Sequence, residues 1–413
     1  MNMNSVVIAG AGQAGYQTAA SLRQEGFSGS ITLVGNEPGL PYQRPPLSKA
    51  YMLGKIGASA LQFRPQAFFE QQRIDLIESS VVSIDRERRV VMLADRKQIA
   101  YDHLILALGA RNRVPSVRGI GLDGVFGIRT LADADALAPR LSAAKRVVVV
   151  GAGFIGLEFA AVAAARGVSV DVLEIGLRPM ARAVSAPTST LFDQVHRNWG
   201  VRLHYGHGLQ CMLEGEKGRV GAVQTTLGRQ FDTDLVVYGI GVVPNIEVAR
   251  EAGLAVENGV RVDEWLTTSD KSISAIGDLV SFPSPWAEKP VRLESVQNAV
   301  DQARTVAARL VGKAISPYVP VPWFWTDQGD YKLQIAGLAD GHDETVVLAD
   351  AAQRALTVLC FRRGRLIAVE TTNRPSEHMA ARKLLQRRTQ LTPEEAAAPG
   401  FELKSYELAN RPA

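Results

Sequence analysis

Two glycine-rich segments of the same pattern carry the residues of this chain that are best suited to binding a phosphate. Each follows an apolar run, at residues 5–9 and 146–150, and each precedes a stretch rich in small residues. A glycine turn between a strand and a helix lets a pyrophosphate approach the backbone, and the helix N-terminus offers unpaired N–H groups. One such segment is also compatible with an ordinary tight turn, but two with correct flanks predict two dinucleotide sites. The glycines are Gly10, Gly12 and Gly15 in the first fingerprint and Gly151, Gly153 and Gly156 in the second.

Polar residues that could bind an adenosine ribose follow the second strand of each repeat. Glu174 ends the strand predicted at 169–174, where a carboxylate accepts hydrogen bonds from ribose hydroxyls and repels a 2′-phosphate. The second fingerprint is therefore predicted to favour NADH over NADPH, although Arg178 nearby could serve a phosphate. In the first repeat Asn36 and Glu37 occupy the corresponding place, and Asn36 carries no charge.

The elements around both fingerprints repeat in the order strand, helix, strand. Each repeat closes with a further apolar strand that ends in glycine, predicted at 101–109 and at 234–241. The duplicated order predicts two doubly wound, three-layer domains. The predicted elements are strands at 6–9 and 30–35 with a helix at 15–24, and strands at 147–150 and 169–174 with a helix at 154–166.

The chain changes in character after the second repeat. Residues 241–318, with a helix predicted at 296–311, are interpreted as the first domain resuming after an insertion. From residue 319 a proline-flanked aromatic cluster, four strands between 331 and 370 and a helix at 376–387 predict an α+β domain with an antiparallel sheet. The expected fold class is α/β, with two Rossmann-like three-layer domains and a C-terminal α+β domain. The predicted domains are 1–112 with 241–318, then 113–240, then 319–413.

Composition excludes several classes of function. The chain has 413 residues, is 46% hydrophobic and 21% charged, and its formal net charge of +4 is too small to indicate a nucleic-acid partner. No apolar run approaches the roughly 18 residues of a membrane span, and a first strand starting at residue 5 leaves no room for a signal peptide. The two cysteines are far apart, which favours a reducing cytoplasm, and no metal site is predicted.

Taken together, the motifs resemble those of bacterial ferredoxin reductases of the glutathione-reductase superfamily, of the putidaredoxin reductase type and of the type that serves aromatic-ring dioxygenases. The resemblance covers nearly the whole chain. One departure is Leu108, where the family usually has threonine. The matching segments are 44–49 (RPPLSK), 151–158 (GAGFIGLE), 239–245 (GIGVVPN), 275–278 (AIGD), 294–299 (ESVQNA) and 322–328 (PWFWTDQ).

The resemblance implies a non-covalent FAD in the first domain and NADH in the second. It places Lys49 near the flavin N5 and pairs it with Glu158, where a cation supports the electron density that arrives with hydride. The alternative for Lys49 and Glu158 is a solvated surface pair, and the alternative for Trp325 is a position in the core. The residues implied to bind FAD are Gly10, Gly12, Ala14, Gly15, Asn36, Glu37, Arg44, Lys49, Val82, Arg129, Asp278, Val296 and Trp325. Those implied to bind NADH are Gly151, Gly153, Phe154, Ile155, Gly156, Glu158, Glu174 and Gly241.

The cysteines narrow the expected reaction. Disulfide reductases of this superfamily carry two cysteines beside the flavin and its NADH oxidases carry one, but residues 39–49 contain none, and Cys211 and Cys360 are isolated. The resemblance then implies that electrons leave the flavin singly for a 2Fe–2S ferredoxin, which supplies a cytochrome P-450 type monooxygenase. The alternatives are a rubredoxin or ring-hydroxylating dioxygenase system and, in another class, an NADH-sensing flavoprotein similar to apoptosis-inducing factor.

Overall fold

The computed structural model of the protein describes residues 3–350 and 354–411. Within these residues the chain forms two compact units. It leaves the first unit for residues 44–58 and again for 112–242, and leaves it finally after Pro320. The first unit comprises the described parts of Met1–Gln43, Ser59–Arg111 and Val243–Pro320, and the second those of Arg44–Ala58, Asn112–Val242 and Val321–Ala413.

The helices of the described residues range from single turns to four turns. Short 3₁₀ turns lie at Pro45–Ser48, Ala58–Leu61 and Gly277–Leu279. The α-helices are α1 (Gln13–Gln24), α2 (Gln66–Gln71), α3 (Leu131–Ala143), α4 (Phe154–Ala165), α5 (Ala186–Asn198), α6 (Glu247–Glu251), α7 (Val296–Leu310), α8 (Pro375–Arg387), α9 (Pro393–Ala396) and α10 (Leu403–Ala409).

The strands of the described residues are mostly short. In chain order they are β1 (Ser5–Ala9), β2 (Ser30–Gly35), β3 (Ile74–Glu78), β4 (Val81–Asp85), β5 (Val90–Leu93), β6 (Gln98–Ala100), β7 (His103–Leu106), β8 (Ala110–Asn112), β9 (Val125–Gly127), β10 (Arg146–Val150), β11 (Ser169–Glu174), β12 (Arg202–Tyr205), β13 (Leu209–Glu214), β14 (Val220–Thr225), β15 (Gln230–Asp232), β16 (Leu235–Tyr238), β17 (Val242–Pro244), β18 (Val256–Glu257), β19 (Gly259–Arg261), β20 (Ile273–Ala275), β21 (Val280–Ser281), β22 (Trp323–Gln328), β23 (Tyr331–Gly337), β24 (Glu344–Asp350), β25 (Ala355–Arg362) and β26 (Arg365–Thr372).

A five-stranded parallel sheet organises the first unit. Its order is β20-β7-β1-β2-β3, with Val6 opposite Ile31 on one side and His103 on the other. Such a sheet is covered on both faces, which explains why β1 and β7 are nearly continuous apolar runs. Helix α1 returns the chain from β1 to β2 and packs against α7. The antiparallel sheet β4-β5-β6 and the mixed sheet β18-β19-β21 also belong to this unit.

The second unit repeats this parallel design and adds two antiparallel sheets. The parallel order is β12-β11-β10-β16-β9, accompanied by the antiparallel β13-β14-β15. The C-terminal sheet has the order β22-β23-β26-β25-β24 and is antiparallel throughout. Helix α4 contacts β22, and α5 contacts β25. The parallel and antiparallel sheets therefore belong to one compact unit.

The sequence expectations for fold class and for the repeated β-α-β order are confirmed. The prediction was incomplete at residues 323–328, which form the edge strand β22 and not only an aromatic cluster. Flanking prolines cannot donate to a ladder, and they obscured a strand that pairs with β23 only from Trp323 onward. The four domain ranges stay a prediction.

Among the described residues, no helix is both long and apolar enough to cross a membrane.

His378, on α8, is buried as a neutral side chain. It is 2% exposed, and within the described residues neither ring nitrogen has a hydrogen-bond partner. Burial, and to a smaller extent the nearby Arg382, lowers the pKa of His378 from 6.5 to about 4. Between pH 6.5 and 4, this histidine therefore binds a proton in the unfolded chain but not in the folded chain. The stability contributed by this neutral histidine is present above pH 6.5 and is lost as pH falls towards 4.

We predict that His378→Phe flattens the acid limb of the stability curve. Phenylalanine fills a similar volume and binds no proton, so the free energy of unfolding should fall less steeply between pH 6.5 and 4, by up to about 1.4 kcal/mol per pH unit. Urea unfolding at a series of pH values measures this slope. The same change at His342, which is partly exposed in a turn, is the control. Equal slopes for His378→Phe and the unsubstituted protein would contradict the prediction.

Candidate dinucleotide-binding sites

The carboxyl edge of the parallel sheet in the first unit collects the first fingerprint and two acidic residues. Parallel strands end on the same side, so the turn after β1, Glu37 after β2 and Asp278 after β20 share this edge. The 3₁₀ turn with Asp278 is close to α1, since a Cβ on Gly277 would lie 3.1 Å from the Cβ of Ala14. The structure therefore brings these predicted flavin residues together.

Three other predicted flavin residues of the first unit differ in their surroundings. Asn36 is exposed, whereas Glu37 is partly buried and its carboxylate accepts a hydrogen bond from the Tyr42 hydroxyl. Val82 is 44% exposed on β4. Val296 is the first residue of α7, as predicted, and its helix is capped by Ser295. Its N–H is among the helix N-terminal groups that have no intrahelical acceptor.

The space around the first fingerprint fits a bound pyrophosphate. A Cβ on Gly10 would lie 2.2 Å from the Ala107 carbonyl oxygen, and one on Gly15 would lie 1.8 Å from the Gly10 carbonyl oxygen. A Cβ on Gly12 would meet nothing within 4 Å. Close backbone packing thus requires the outer two glycines, while the middle one borders open space for phosphate.

In the second fingerprint, too, backbone atoms crowd the first and third glycines and leave space beside the middle one. A Cβ on Gly151 would lie 2.6 Å from the Gly239 carbonyl oxygen, and one on Gly156 would lie 2.1 Å from the Gly151 carbonyl oxygen. For Gly153 the nearest atom would be 3.8 Å away. Two independently folded turns therefore share the geometry that a dinucleotide requires.

Glu174 lies directly beside the second fingerprint. One carboxylate oxygen accepts the Ala152 N–H at 2.7 Å and the other accepts the Gly176 N–H at 2.7 Å. The same sheet edge carries Gly241, whose backbone has φ +99° in a turn that follows β16. A negative charge held at this position suits ribose hydroxyls and disfavours a 2′-phosphate.

Helix α4, which starts at the second fingerprint, carries the acid predicted to pair with Lys49. The Glu158 carboxylate is 4% exposed and lies 2.8 Å from the Lys49 ammonium, which is 19% exposed. The same oxygen accepts the Ser48 hydroxyl at 2.6 Å, and the second oxygen accepts the Thr326 hydroxyl at 2.6 Å. Lys49 also donates to the Pro45 carbonyl at 3.1 Å. This is a buried carboxylate, both of whose oxygens have partners, and not a solvated surface pair.

Ser48 and Thr326 are two partners of Glu158 that the sequence analysis missed. Ser48 directly precedes Lys49 in the segment 44–49, and Thr326 lies on β22, which the sequence did not predict as a strand. Thr326 is fully buried on the face of β22 opposite to Trp325. Had residues 323–328 been predicted as a strand, the alternation of buried and exposed side chains would have identified Thr326 as buried.

The remaining predicted residues of the second unit lie near these elements. Arg44 donates to the Arg129 carbonyl at 2.8 Å, and Arg129 follows β9 at the carboxyl edge of the parallel sheet. Phe154 packs against Phe324 with ring centroids 4.6 Å apart, and Ile155 follows it in α4. Trp325 is partly buried, with the ring of Trp323 at 5.6 Å. Candidate flavin residues are thus found in both units, and their individual roles stay predictions.

We predict that two alanine substitutions in the second fingerprint have different effects, one on dinucleotide affinity and the other on the stability of the fold. Gly153→Ala places a methyl in open space, so the free energy of unfolding should be nearly unchanged while dinucleotide affinity falls about tenfold or more. Gly156→Ala overlaps the backbone and should destabilise the fold by about 1–3 kcal/mol. Urea unfolding and nucleotide titration give the two readouts. Equal destabilisation by both changes would contradict the prediction.

Comparison with known proteins agrees with this geometry. Residues 4–303 match the family model of the pyridine nucleotide-disulphide oxidoreductases, and residues 323–407 match the C-terminal reductase domain. The chain is 49% identical over 401 residues to rhodocoxin reductase of Rhodococcus erythropolis, covering 97% of this chain and 93% of that protein.

Two solved structures are similar over almost their full length. The ferredoxin reductase for the CYP199A2 system from Rhodopseudomonas palustris aligns with a TM-score of 0.94 and 48% identity, covering 98% of this chain and 100% of that one. Putidaredoxin reductase in its covalent complex with putidaredoxin aligns with a TM-score of 0.95 and 37% identity, covering 98% of each chain. The cofactors of such proteins are FAD and a nicotinamide dinucleotide, which fit the two glycine cradles. The chain belongs to the pyridine nucleotide-disulphide oxidoreductase family, among the reductases that carry the C-terminal reductase domain.

Proposed function

We propose that the protein is a cytoplasmic NADH-dependent ferredoxin reductase whose 2Fe–2S ferredoxin supplies a cytochrome P-450 type monooxygenase. The names of its relatives support this, since rhodocoxin reductase and the reductase of the CYP199A2 system are both similar to the chain over nearly its whole length. When bound, FAD accepts a hydride from NADH and releases the two electrons singly to a one-electron carrier.

The buried pair of Lys49 and Glu158 is the observation that carries the proposal. Glu158 is the fifth residue of the helix that begins at the NADH fingerprint, and it anchors the lysine at 2.8 Å. The ammonium has three N–H donors, of which Glu158 and the Pro45 carbonyl take two. Among the described residues no further acceptor takes the third donor, which remains for a ligand. A fixed cation with one donor to spare stabilises negative charge that develops beside it.

The cysteines of the chain support a one-electron acceptor outside the protein. Cys211 and Cys360 are both buried, and burial raises the pKa of the Cys360 thiol. The thiolate is the reactive form, so a buried thiol of raised pKa is a poor redox partner. Residues 39–49 contain no cysteine at all. Electrons that arrive on the chain therefore have no protein disulfide to reduce.

Lys49→Ala should slow the reduction of bound flavin by NADH about 100-fold while FAD stays bound. The loss follows from removing the cation that Glu158 holds, and single-turnover kinetics with flavin absorbance measures it. Lys55→Ala, at an exposed lysine six positions further along the chain, is the matched control and should leave the rate unchanged. Release of FAD from purified Lys49→Ala would show that the lysine has a structural role.

The acceptor is tested by turnover with purified carriers. We expect fast NADH-dependent reduction of a 2Fe–2S ferredoxin, slower reduction of rubredoxin, and formation of product when the ferredoxin is coupled to a P-450 enzyme. A slow reaction that leaves a long-lived reduced complex and changes the oligomeric state would favour the alternative of an NADH-sensing flavoprotein. Preferred turnover with rubredoxin would replace the ferredoxin in the proposal.

A further inference from the structure

The segment between β11 and α5 follows directly after Glu174. It consists of residues 175–185, here called the selection loop, because it connects the ribose-binding acid to the next helix. It contains Arg178, which the sequence leaves open as a ligand for a 2′-phosphate. Met180 has a left-handed backbone, with φ +51°, so the loop makes a sharp turn at its centre.

Glu174 and the selection loop are both hydrogen-bonded to one residue of the second fingerprint, Ala152. The Ala152 N–H donates to the Glu174 carboxylate at 2.7 Å, and the Ala152 carbonyl accepts the Met180 N–H at 2.9 Å. Ala152 lies between the first two glycines of the fingerprint. Movement of the loop would therefore move both Glu174 and the turn that receives the pyrophosphate.

Arg178 closes the loop on itself. Its guanidinium donates to the carbonyls of Val184 at 2.9 Å, Ser185 at 3.3 Å and Ala181 at 3.0 Å. The Ser185 carbonyl also accepts the Ser189 N–H of α5 at 3.1 Å, and a guanidinium can donate to several carbonyls of a loop at once. To form a bidentate contact with a phosphate, Arg178 would have to release this set.

The C-terminal sheet holds the far end of the loop. The Ser185 N–H and hydroxyl donate to the two oxygens of the Glu370 carboxylate, at 2.7 Å and 2.6 Å. Both residues are at most 1% exposed. Ser185 is also the N-cap of α5, where a carboxylate is favoured by the helix dipole. A second contact comes from β22, where the Gln328 amide lies 3.6 Å from the Met180 sulfur.

We propose that Arg178 and Glu370 are positioning residues that set the preference for NADH by holding the selection loop closed. Glu370 fixes Ser185, Arg178 ties Ser185 and its neighbours to the start of the loop, and the closed loop keeps Glu174 against the fingerprint. Arg178 does not read a 2′-phosphate. This inference rests on the proposed function in that NADH binds at the second fingerprint.

The first test uses Arg178→Met, with Arg197→Met on α5 as the matched control because Arg197 is exposed and pairs with Asp193 outside the selection loop. NADH affinity, measured by calorimetry on the FAD-loaded protein, should fall about tenfold in Arg178→Met and stay unchanged in the control. In a Glu174→Gln background, Arg178→Met should lower the affinities for NADH and NADPH by the same factor. A selective loss of NADPH affinity would identify Arg178 as a phosphate ligand and overturn the proposal.

The second test weakens the contact between Glu370 and Ser185, the last residue of the selection loop, and leaves the other loop residues unchanged. Ser185→Ala removes one of the two hydrogen bonds to Glu370, and Ser185→Thr keeps a hydroxyl. The alanine variant should raise the KM for NADH about fivefold at unchanged kcat, and the threonine variant should restore it. If Ser185→Ala lowers the melting temperature but leaves NADH affinity unchanged, the contact between Ser185 and Glu370 only stabilises the fold, and the proposal is overturned. If the unsubstituted protein fails to bind NADH, the proposed function itself fails, which is a separate outcome.

Discussion

A carboxylate as deeply buried as that of Glu158 is stable only when donors take up its lone pairs. Three do so here, from Lys49, Ser48 and Thr326, and they come from two distant parts of the chain. Removing any one leaves a charge in a poorly solvated place, so the three contacts depend on one another. The fingerprint helix, the segment 44–49 and strand β22 are positioned by this single group.

The parts of the site that sequence analysis could predict are those governed by local backbone geometry. The fingerprint glycines are of this kind, because the turn itself dictates which positions tolerate a Cβ and which must stay open. The helix start at Val296 and the acid at the end of β11 follow from periodicity and from strand ends. The pairing of Lys49 with Glu158 came from resemblance to a family and not from spacing, since 109 positions separate the two residues.

The contacts that sequence analysis missed join residues far apart in the chain. Thr326 reaches Glu158 across 168 positions, and Glu370 reaches Ser185 across 185. Serine, threonine and glutamate are common on surfaces, so their types alone do not indicate burial. The burial of Thr326 was harder still to predict, because the flanking prolines kept residues 323–328 from being predicted as a strand. In a predicted strand, the alternation of side chains would have placed Thr326 on the buried face. Only the packing of β22 and β26 shows that these polar groups have partners.

The polar character of these contacts has a consequence for how the C-terminal domain is used. Thr326, Gln328 and Glu370 are all at most 1% exposed, and each bonds a residue of the part that carries the second fingerprint. Apolar packing of the same area would stabilise the unit at least as well, since buried charges bring a large desolvation penalty. Hydrogen bonds add direction, which apolar packing lacks. They fix the orientation of Glu158, of α5 and of the loop after Glu174. The C-terminal sheet thereby positions elements that surround the candidate nucleotide site, although none of these three side chains lies at the fingerprint itself.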